Sequence, residues 1–322
     1  MTACGSKTPG PNGPTPPVAN PPTIACPASL TVRGVAGTSQ AVPYEAPRVT
    51  DGAAPVTVTC AKASGDVFPL GTTTVSCTAT DALSRQASCA FGVTLTGFSL
   101  SVTKYLAVGD SLTEGENGLP RFIDTPNAYP TKLKALFDAN YPDQAVSVSN
   151  KGIGGERVER TRATLSGNLA ATRPEAVLLL TGYNDLDPCD PGEANSSACK
   201  AAITEVEFGV RDCIREIKES PFGVKFIFVS TITPSGPRAP GSPRDLRIDP
   251  NAVTEVNARI RQRVAQEGAT LVDTYPRFLG HEAEYSSVDG VHLTPAGYQA
   301  LAESFFATIK TTVPQTPLFS GR

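Results

Sequence analysis

The sequence predicts an α/β domain built on a five-stranded parallel sheet, preceded by a small all-β sandwich. Three observations predict it. From about Phe98 onward, short apolar runs alternate with amphipathic helical patterns, as expected when helices cover a parallel sheet. From Ile24 to Gly97 the pattern has period two and is cut by turn residues at Gly37, Asp51-Gly52, Gly65-Asp66, Gly71 and Asp81. Three turns containing glycine follow successive apolar runs of the second region, at 109–115, 152–156 and 182–185. The boundaries implied are a Pro/Gly-rich tether over 1–23, the sandwich over 24–97 and the α/β domain over 98–322.

A chain of 322 residues with 40% apolar and 18% charged residues can bury ample core in two domains. Its net charge of −3 provides no basic field, which argues against nucleic acid or an anionic membrane surface as a partner. No run of 18 apolar residues occurs, so no spanning helix is expected. At the N-terminus, Thr2-Ala3-Cys4-Gly5-Ser6 resembles the end of a bacterial lipoprotein signal, and Lys7 to Pro22 has the composition of a flexible tether. The expectation is an extracytoplasmic protein, secreted or held at the cell envelope, with membrane association only through a lipid on Cys4.

Eight cysteines agree with an oxidising compartment. Cys26, Cys60, Cys77 and Cys89 fall in the sandwich, with Cys77 beside Val75 and Ala79, and Cys89 beside Phe91, Val93 and Leu95, on inward-facing positions. Val56, Val58 and Cys60 share one face in the same way. Four cysteines allow three pairings; the preferred one joins Cys60 to Cys77 across neighbouring strands and Cys26 to Cys89 between the first and last. The words Cys26-Pro27, Tyr44-Glu45-Ala46-Pro47, Phe68-Pro69-Leu70-Gly71-Thr72-Thr73-Thr74-Val75-Ser76-Cys77 and Cys89-Ala90-Phe91 closely resemble a hyalin-repeat (HYR) domain. That resemblance implies an immunoglobulin-like fold serving adhesion or spacing, with a polysaccharide or cell-surface partner. It implies no chemistry, and the stretch has no histidine and no cluster of acids.

In the second region the strands are expected at Tyr105–Val108, Ala145–Val148, Ala176–Leu180, Val224–Val229 and Thr270–Val272. Helices are expected near Ala128–Ala139, Lys200–Glu219, Ala252–Glu267 and Pro295–Lys310. Ile203, Val206, Val210, Cys213 and Ile217 form one buried stripe, which makes Cys213 a free core thiol. Cys189 and Cys199 bracket a polar loop and pair most simply with each other. The Pro/Gly/Arg-rich segment Pro234 to Pro250, with Arg238, Arg244 and Arg247, is expected to overhang the carboxyl edge of the sheet.

Open α/β sheets bind ligands at the carboxyl ends of their strands, so the three glycine turns should line one edge. Ser111, in Gly109-Asp110-Ser111-Leu112, follows the first strand and can serve as a nucleophile if a base removes its proton. Only two histidines occur. His292 has Asp289 three positions before it, a spacing that lets the two side chains meet across a tight turn; His281 has no such acid and reads as a surface residue. Gly155 offers an unobstructed backbone N–H and Asn184 a side-chain amide, the donors that a tetrahedral oxyanion requires. The glycine spacing fits neither a Walker nor a dinucleotide pattern, and Asp185, Asp187 and Asp190 miss the calcium-loop spacing. No cofactor and no metal is expected.

Gly-Asp-Ser-Leu at 109–112, Gly155, Gly-x-Asn-Asp at 182–185 and Asp-x-x-His at 289–292 closely resemble, in order and separation, the four blocks of the SGNH, or GDSL-type, hydrolases. The resemblance spans about Tyr105 to Lys310. It implies a flavodoxin-like three-layer α/β/α fold with Ser111 as nucleophile, His292 as base and Asp289 as its partner. The oxyanion hole would comprise the Ser111 N–H, the Gly155 N–H and the Asn184 amide. Thr113 stands where the α/β-hydrolase elbow needs glycine, which separates this chain from that family. The implied activity is hydrolysis of small or short-acyl carboxylic esters through an acyl-enzyme. A carbohydrate O-acetylesterase and a lysophospholipase are the alternatives within enzymes, and an adhesion protein with an inactive hydrolase domain is the alternative outside them.

Overall fold

The computed structural model describes residues 19–33, 39–119, 122–142, 144–237, 239–240 and 247–317. Cys4, Arg238 and Arg244 lie outside the described residues. The chain divides into two compact units, with the break between Gly97 and Phe98.

The first unit is all-β: β1 (Thr23–Ala25), β2 (Leu30–Arg33), β3 (Gln40–Ala41), β4 (Arg48–Thr50), β5 (Thr57–Cys60), β6 (Val67–Phe68), β7 (Gly71–Thr80) and β8 (Gln86–Thr96). Its main sheet has the order β2-β8-β7-β5, and β1 with β4 and β3 with β6 form two-stranded sheets. The alternation predicted for β7 and β8 is observed: Val75, Cys77, Ala79, Phe91, Val93 and Leu95 are buried, and Val42 and Phe68 close the core from the small sheets. Tyr44 packs edge-on against Phe91 at 4.9 Å, an arrangement that suits the ring quadrupoles. Asp81 shapes the β7–β8 turn because its carboxylate accepts the Leu83 and Arg85 amides, each at 2.9 Å, and pairs with the Arg85 guanidinium. One expectation needs correction. Val58 does not point into the core but is 40% exposed, because β5 is the end strand of its sheet.

Disulfides join Cys26 to Cys89, Cys60 to Cys77 and Cys189 to Cys199, and Cys213 is a free, buried thiol, as preferred on sequence grounds. Cys60 and Cys77 are register partners on β5 and β7, so that bridge spans two hydrogen-bonded neighbours.

The second unit carries β9 (Phe98–Leu100), β10 (Lys104–Gly109), α1 (Ser111–Glu114), α2 (Tyr129–Asn140), β11 (Ser147–Gly152), α3 (Val158–Thr172), β12 (Ala176–Leu180), α4 (Ser197–Glu219), β13 (Phe226–Ser230), α5 (Pro250–Gln266), β14 (Thr270–Val272), α6 (Tyr275–Phe278), α7 (Glu282–Tyr285), α8 (Pro295–Thr312) and β15 (Gln315–Pro317). Five of the strands form one parallel sheet in the order β11-β10-β12-β13-β14. This is the flavodoxin-like order. The central strand β12, Ala-Val-Leu-Leu-Leu, is buried at every position, as a strand covered on both faces must be. The stripe on α4 is also buried, with Ile203, Val206, Val210, Cys213 and Ile217 each at most 1% exposed. Among the described residues, no helix is long and apolar enough to cross a membrane.

The structure differs from the sequence reading at several elements; β13, for one, begins at Phe226 rather than Val224. Strand β11 begins two residues later than Ala145: Ala145 is exposed and Val146 is buried before the strand starts, and Ser147-Val148-Ser149-Asn150 runs along the edge of the sheet, exposed or partly buried. Helix α3 has no counterpart among the expected helices. Its buried stripe is Val158, Thr161, Leu165 and Leu169, with a threonine where a hydrocarbon would announce the period. Thr161 Oγ1 is satisfied by Thr181 Oγ1 at 3.0 Å. The helix is started by Asp185, 27 residues ahead, whose carboxylate accepts the Val158 N–H at 2.9 Å.

The sandwich core is small, so its bridges should matter in proportion to the loops they close. Replacing Cys26 and Cys89 together by alanine should cost about 4 kcal/mol and replacing Cys60 and Cys77 together about 3 kcal/mol, by loop-closure entropy. Urea unfolding followed through amide signals of residues 19–97 checks the order; a larger loss from the shorter loop contradicts it.

Candidate active site

The register of the sheet gathers the three turns. Gly109 at the end of β10 pairs with Gly152 of β11 on one side and Leu180 of β12 on the other, so the segments that follow leave the sheet at one level. Close packing dictates the glycines. A Cβ on Gly109 would sit 1.7 Å from the Leu180 carbonyl oxygen, and one on Gly152 would sit 2.3 Å from the Glu114 nitrogen.

Helix α1 opens directly on Ser111. Asp110 caps it through Oδ1, which accepts the Leu112 N–H at 3.0 Å, and Gly115 ends it in the left-handed region at φ 106° with its N–H donated to the Ser111 carbonyl. Asn150 of β11 secures the same turn by donating Nδ2–H to the carbonyls of Thr113 and Glu114, at 2.9 and 3.2 Å. Ser111 is therefore held on both sides and is 6% exposed.

Ser111, Asp289 and His292, distant in sequence, are brought together. His292 Nε2 lies 2.9 Å from Ser111 Oγ, and His292 Nδ1–H donates to Asp289 Oδ2 at 2.5 Å. The other Asp289 oxygen accepts the Val291 and His292 amides, each at 3.0 Å. Gly290, at φ 81°, permits this turn, and its α-carbon has no room for a side chain because the Gly236 carbonyl is 2.7 Å from the Cβ position. The expected overhang of Pro234 to Pro250 takes this form in its described part: Gly236 and Ala239 donate to the Gly290 and Val288 carbonyls, at 2.7 and 2.9 Å. Thr294 Oγ1 accepts the Gly297 N–H at 3.1 Å, capping α8 behind the histidine.

The electrostatics follow from burial and these bonds. Burial works against the Asp289 carboxylate, but the His292 ring and two backbone amides outweigh it and hold its pKa below the usual carboxylate range. Burial alone would lower the His292 pKa; the carboxylates of Asp289 and Glu116 overcome that and push it up to about 9. Asp110 is pushed up to about 7 by its burial.

The turns that carry Gly155 and Asn184 are linked to each other, and the first of them meets Ser111. The Cβ position of Gly154 is 3.8 Å from Ser111 Cβ, which sets the 152–156 turn against the nucleophile candidate. Asn184 Nδ2–H donates to the Glu156 carbonyl at 2.9 Å, tying its turn to that one, and its second amide hydrogen meets no acceptor among the described residues. Among the described residues no acceptor takes the Ser111 N–H or the Gly155 N–H. Gly155 is at φ 76°, with open space over its α-carbon.

Other sequence candidates fall away from the site. His281 is exposed and stacks on Tyr285 at 5.2 Å. Asp185 caps α3, and Asp187 pairs with Arg157 at 3.1 Å. Two residues at the site escaped the sequence reading. Glu116 places Oε2 3.3 Å from His292 Nε2, and Asn150 fixes the Ser111 turn. The local signal for Glu116 was Gly115, four residues after Ser111, a position that ends helices and folds the chain back over their last turn.

Comparison with known proteins agrees with this architecture. The GDSL-like lipase/acylhydrolase family model matches residues 107–300, and the HYR domain model matches residues 19–95. An acetylxylan esterase of Geobacillus stearothermophilus is 31% identical over 87 residues, which are 26% of this chain and 40% of that protein. The chain thus spans 40% of the length of the curated relative it matches. Among solved structures, LAE5, an alpha/beta hydrolase enzyme from the metagenome of Lake Arreo in Spain, aligns with a TM-score of 0.50 at 21% identity, covering 66% of this chain and 96% of that one. Axe2, an acetylxylan esterase from Geobacillus stearothermophilus, aligns with a TM-score of 0.49 at 24% identity, covering 64% and 94%. The first of these likenesses shows the fold. With its family model matched over more than half its length, the chain belongs to the GDSL-like lipase/acylhydrolase family.

Proposed function

We propose that the protein is a serine ester hydrolase acting on small or short-acyl carboxylic esters through an acyl-enzyme. The observation that carries this reading is the chain of contacts Asp289–His292–Ser111, at 2.5 and 2.9 Å, ending beside two backbone N–H groups that have no acceptor among the described residues. With Nδ1–H given to Asp289, neutral His292 presents a lone pair on Nε2 to the Ser111 hydroxyl. As Ser111 Oγ attacks the ester carbonyl, its proton passes to Nε2 and the carbonyl oxygen becomes an oxyanion. The Ser111 N–H, the Gly155 N–H and the free Asn184 amide hydrogen are the donors for that charge. Collapse expels the alcohol, which takes the proton from Nε2. Water then repeats the sequence on the acyl-enzyme and frees the acid.

A carbohydrate O-acetyl ester is the second substrate reading, supported by the sequence likeness to an acetylxylan esterase. A groove of about 660 Å³ lined by Ile153, Gly154, Gly155, Glu156, Arg157 and Arg160 begins at the oxyanion turn and suits a polar alcohol portion better than a long hydrocarbon. Three disulfides and a match to the HYR domain support an extracytoplasmic location. We place the protein at the cell envelope or outside it, with the HYR-like unit as a spacer or adhesive module for a polysaccharide or cell-surface partner.

Ser111→Ala should abolish hydrolysis of p-nitrophenyl acetate with the circular dichroism spectrum unchanged; undiminished turnover would refute the assignment. Asn184→Ala should lower kcat about a hundredfold with little change in KM, since the donor acts on charge formed only in the transition state. An effect confined to KM would remove Asn184 from the oxyanion hole. The base must be neutral to accept the serine proton, and its pKa is raised to about 9. Accordingly kcat/KM should rise with pH up to about 9 and fall about tenfold per pH unit well below it. A profile already flat at pH 7 contradicts that.

A further inference from the structure

Glu116 has no part in the acyl-transfer scheme above, yet its Oε2 lies 3.3 Å from Nε2, the nitrogen that must take the serine proton. Its position is built. The Glu116 N–H donates to the Ser111 carbonyl at 3.1 Å, and its carbonyl accepts the Tyr298 hydroxyl at 2.5 Å from α8. The side chain is 26% exposed and reaches the same small space as the Ser111 turn, since the Cβ position of Gly154 would be 3.4 Å from its Oε2. The neighbouring Glu114 carboxylate is engaged elsewhere, accepting the Gly154 N–H at 2.6 Å.

The imidazole thus has a carboxylate at each nitrogen. Asp289 at 2.5 Å takes Nδ1–H in either charge state, so only Nε2 changes protonation. Neutral His292 turns a lone pair toward Nε2's neighbours, and a carboxylate at 3.3 Å from a lone pair is repelled. Protonated His292 instead carries Nε2–H, which it donates to Ser111 Oγ at 2.9 Å, while Glu116 Oε2 at 3.3 Å pairs with its charge. A carboxylate at that distance favours the protonated ring over the neutral one. We propose that Glu116 is a positioning residue for His292, its carboxylate stabilising the protonated ring in the free enzyme through the charge it sets beside Nε2.

The inference rests on the reading of His292 as the base. Besides Asp289 and Glu116, the ionisable groups facing the ring are Asp110 at the cap of α1 and the Tyr183 and Tyr298 hydroxyls, which couple to the same carboxylates. Arg247 packs on Gly290 of the same turn, its Cγ 3.2 Å from that glycine's Cβ position. The Glu116 carboxylate stabilises the imidazolium that forms during acyl transfer, and it also keeps the resting base protonated at lower pH. The second effect sets where on the pH scale the enzyme switches on.

The test uses the full chain. Because His281 is the only other histidine, the His281→Asn variant leaves a single imidazole whose Cε1–H can be titrated by NMR without any substrate. In that background Glu116→Gln, which keeps the backbone bonds and the size of the side chain, should lower the His292 midpoint by about one pH unit or more. The acidic limb of kcat/KM for p-nitrophenyl acetate should move down by the same amount. An unshifted NMR midpoint overturns the role of Glu116 even if the protein hydrolyses the ester. A shifted midpoint with no hydrolysis by either form supports the clamp on His292 and refutes the proposed function instead.

Discussion

The hydrogen bond from His292 Nδ1 to Asp289, 2.5 Å long and buried, decides which ring nitrogen is left to face Ser111. Without it the imidazole could take either tautomer and rotate, and the serine would have no dependable acceptor. Much of the surrounding backbone serves this one contact. Asp289 is locked by two amides of its own turn, the Ser287 N–H donates to the His292 carbonyl, and Ser287 Oγ–H donates to the Asn117 carbonyl in the loop after α1. The loop bearing the histidine is therefore stitched to the loop bearing the serine. A small displacement of either would open the 2.9 Å contact on which the proposed acyl transfer depends.

The frame beneath these loops is the parallel sheet. Its order places β10 between β11 and β12, so the chain leaves β10 in one direction and returns beyond it in the other. The crevice created at such a reversal is where open α/β sheets bind ligands. Here the Ser111, Gly155 and Asn184 turns all rise from that region, and they are cross-linked by side-chain to backbone bonds from Asn150, Asn184 and Asp185. These amides and carboxylates do for the loops what a hydrophobic core does for the strands. Each satisfies backbone groups that a ligand site cannot leave to water.

The first unit shows a different economy. Its apolar core among the described residues is small, centred on Val42, Phe68, Val75, Cys77, Phe91, Val93 and Leu95, and two disulfides restrict the unfolded chain to compensate. Its surface-facing strand positions are mainly threonine and serine, several of them hydrogen-bonded across strands, such as Thr72 with Thr94 and Thr78 with Ser88. Every group named at the candidate site lies beyond residue 97, so the chemistry proposed here belongs to the second unit alone.

Sequence by itself determined the elements whose signals are local. Alternation in β7 and β8, the unbroken apolar β12 and the three-and-four spacing on α4 all report how a segment meets a core, and each was legible because hydrophobic burial is periodic along the chain. The four blocks around Ser111, Gly155, Asn184 and Asp289-His292 were legible because tight turns and close backbone approaches restrict residue type. What only the tertiary structure decided depends on partners far away in sequence. Helix α3 is started by a carboxylate 27 residues on, and β5 is exposed because it ends a sheet. Glu116 looks like any solvated acid until the turn at Gly115 and the Tyr298 hydroxyl set it against His292. A carboxylate acquires meaning from the charge and burial of what it faces, and no spacing along the chain encodes that.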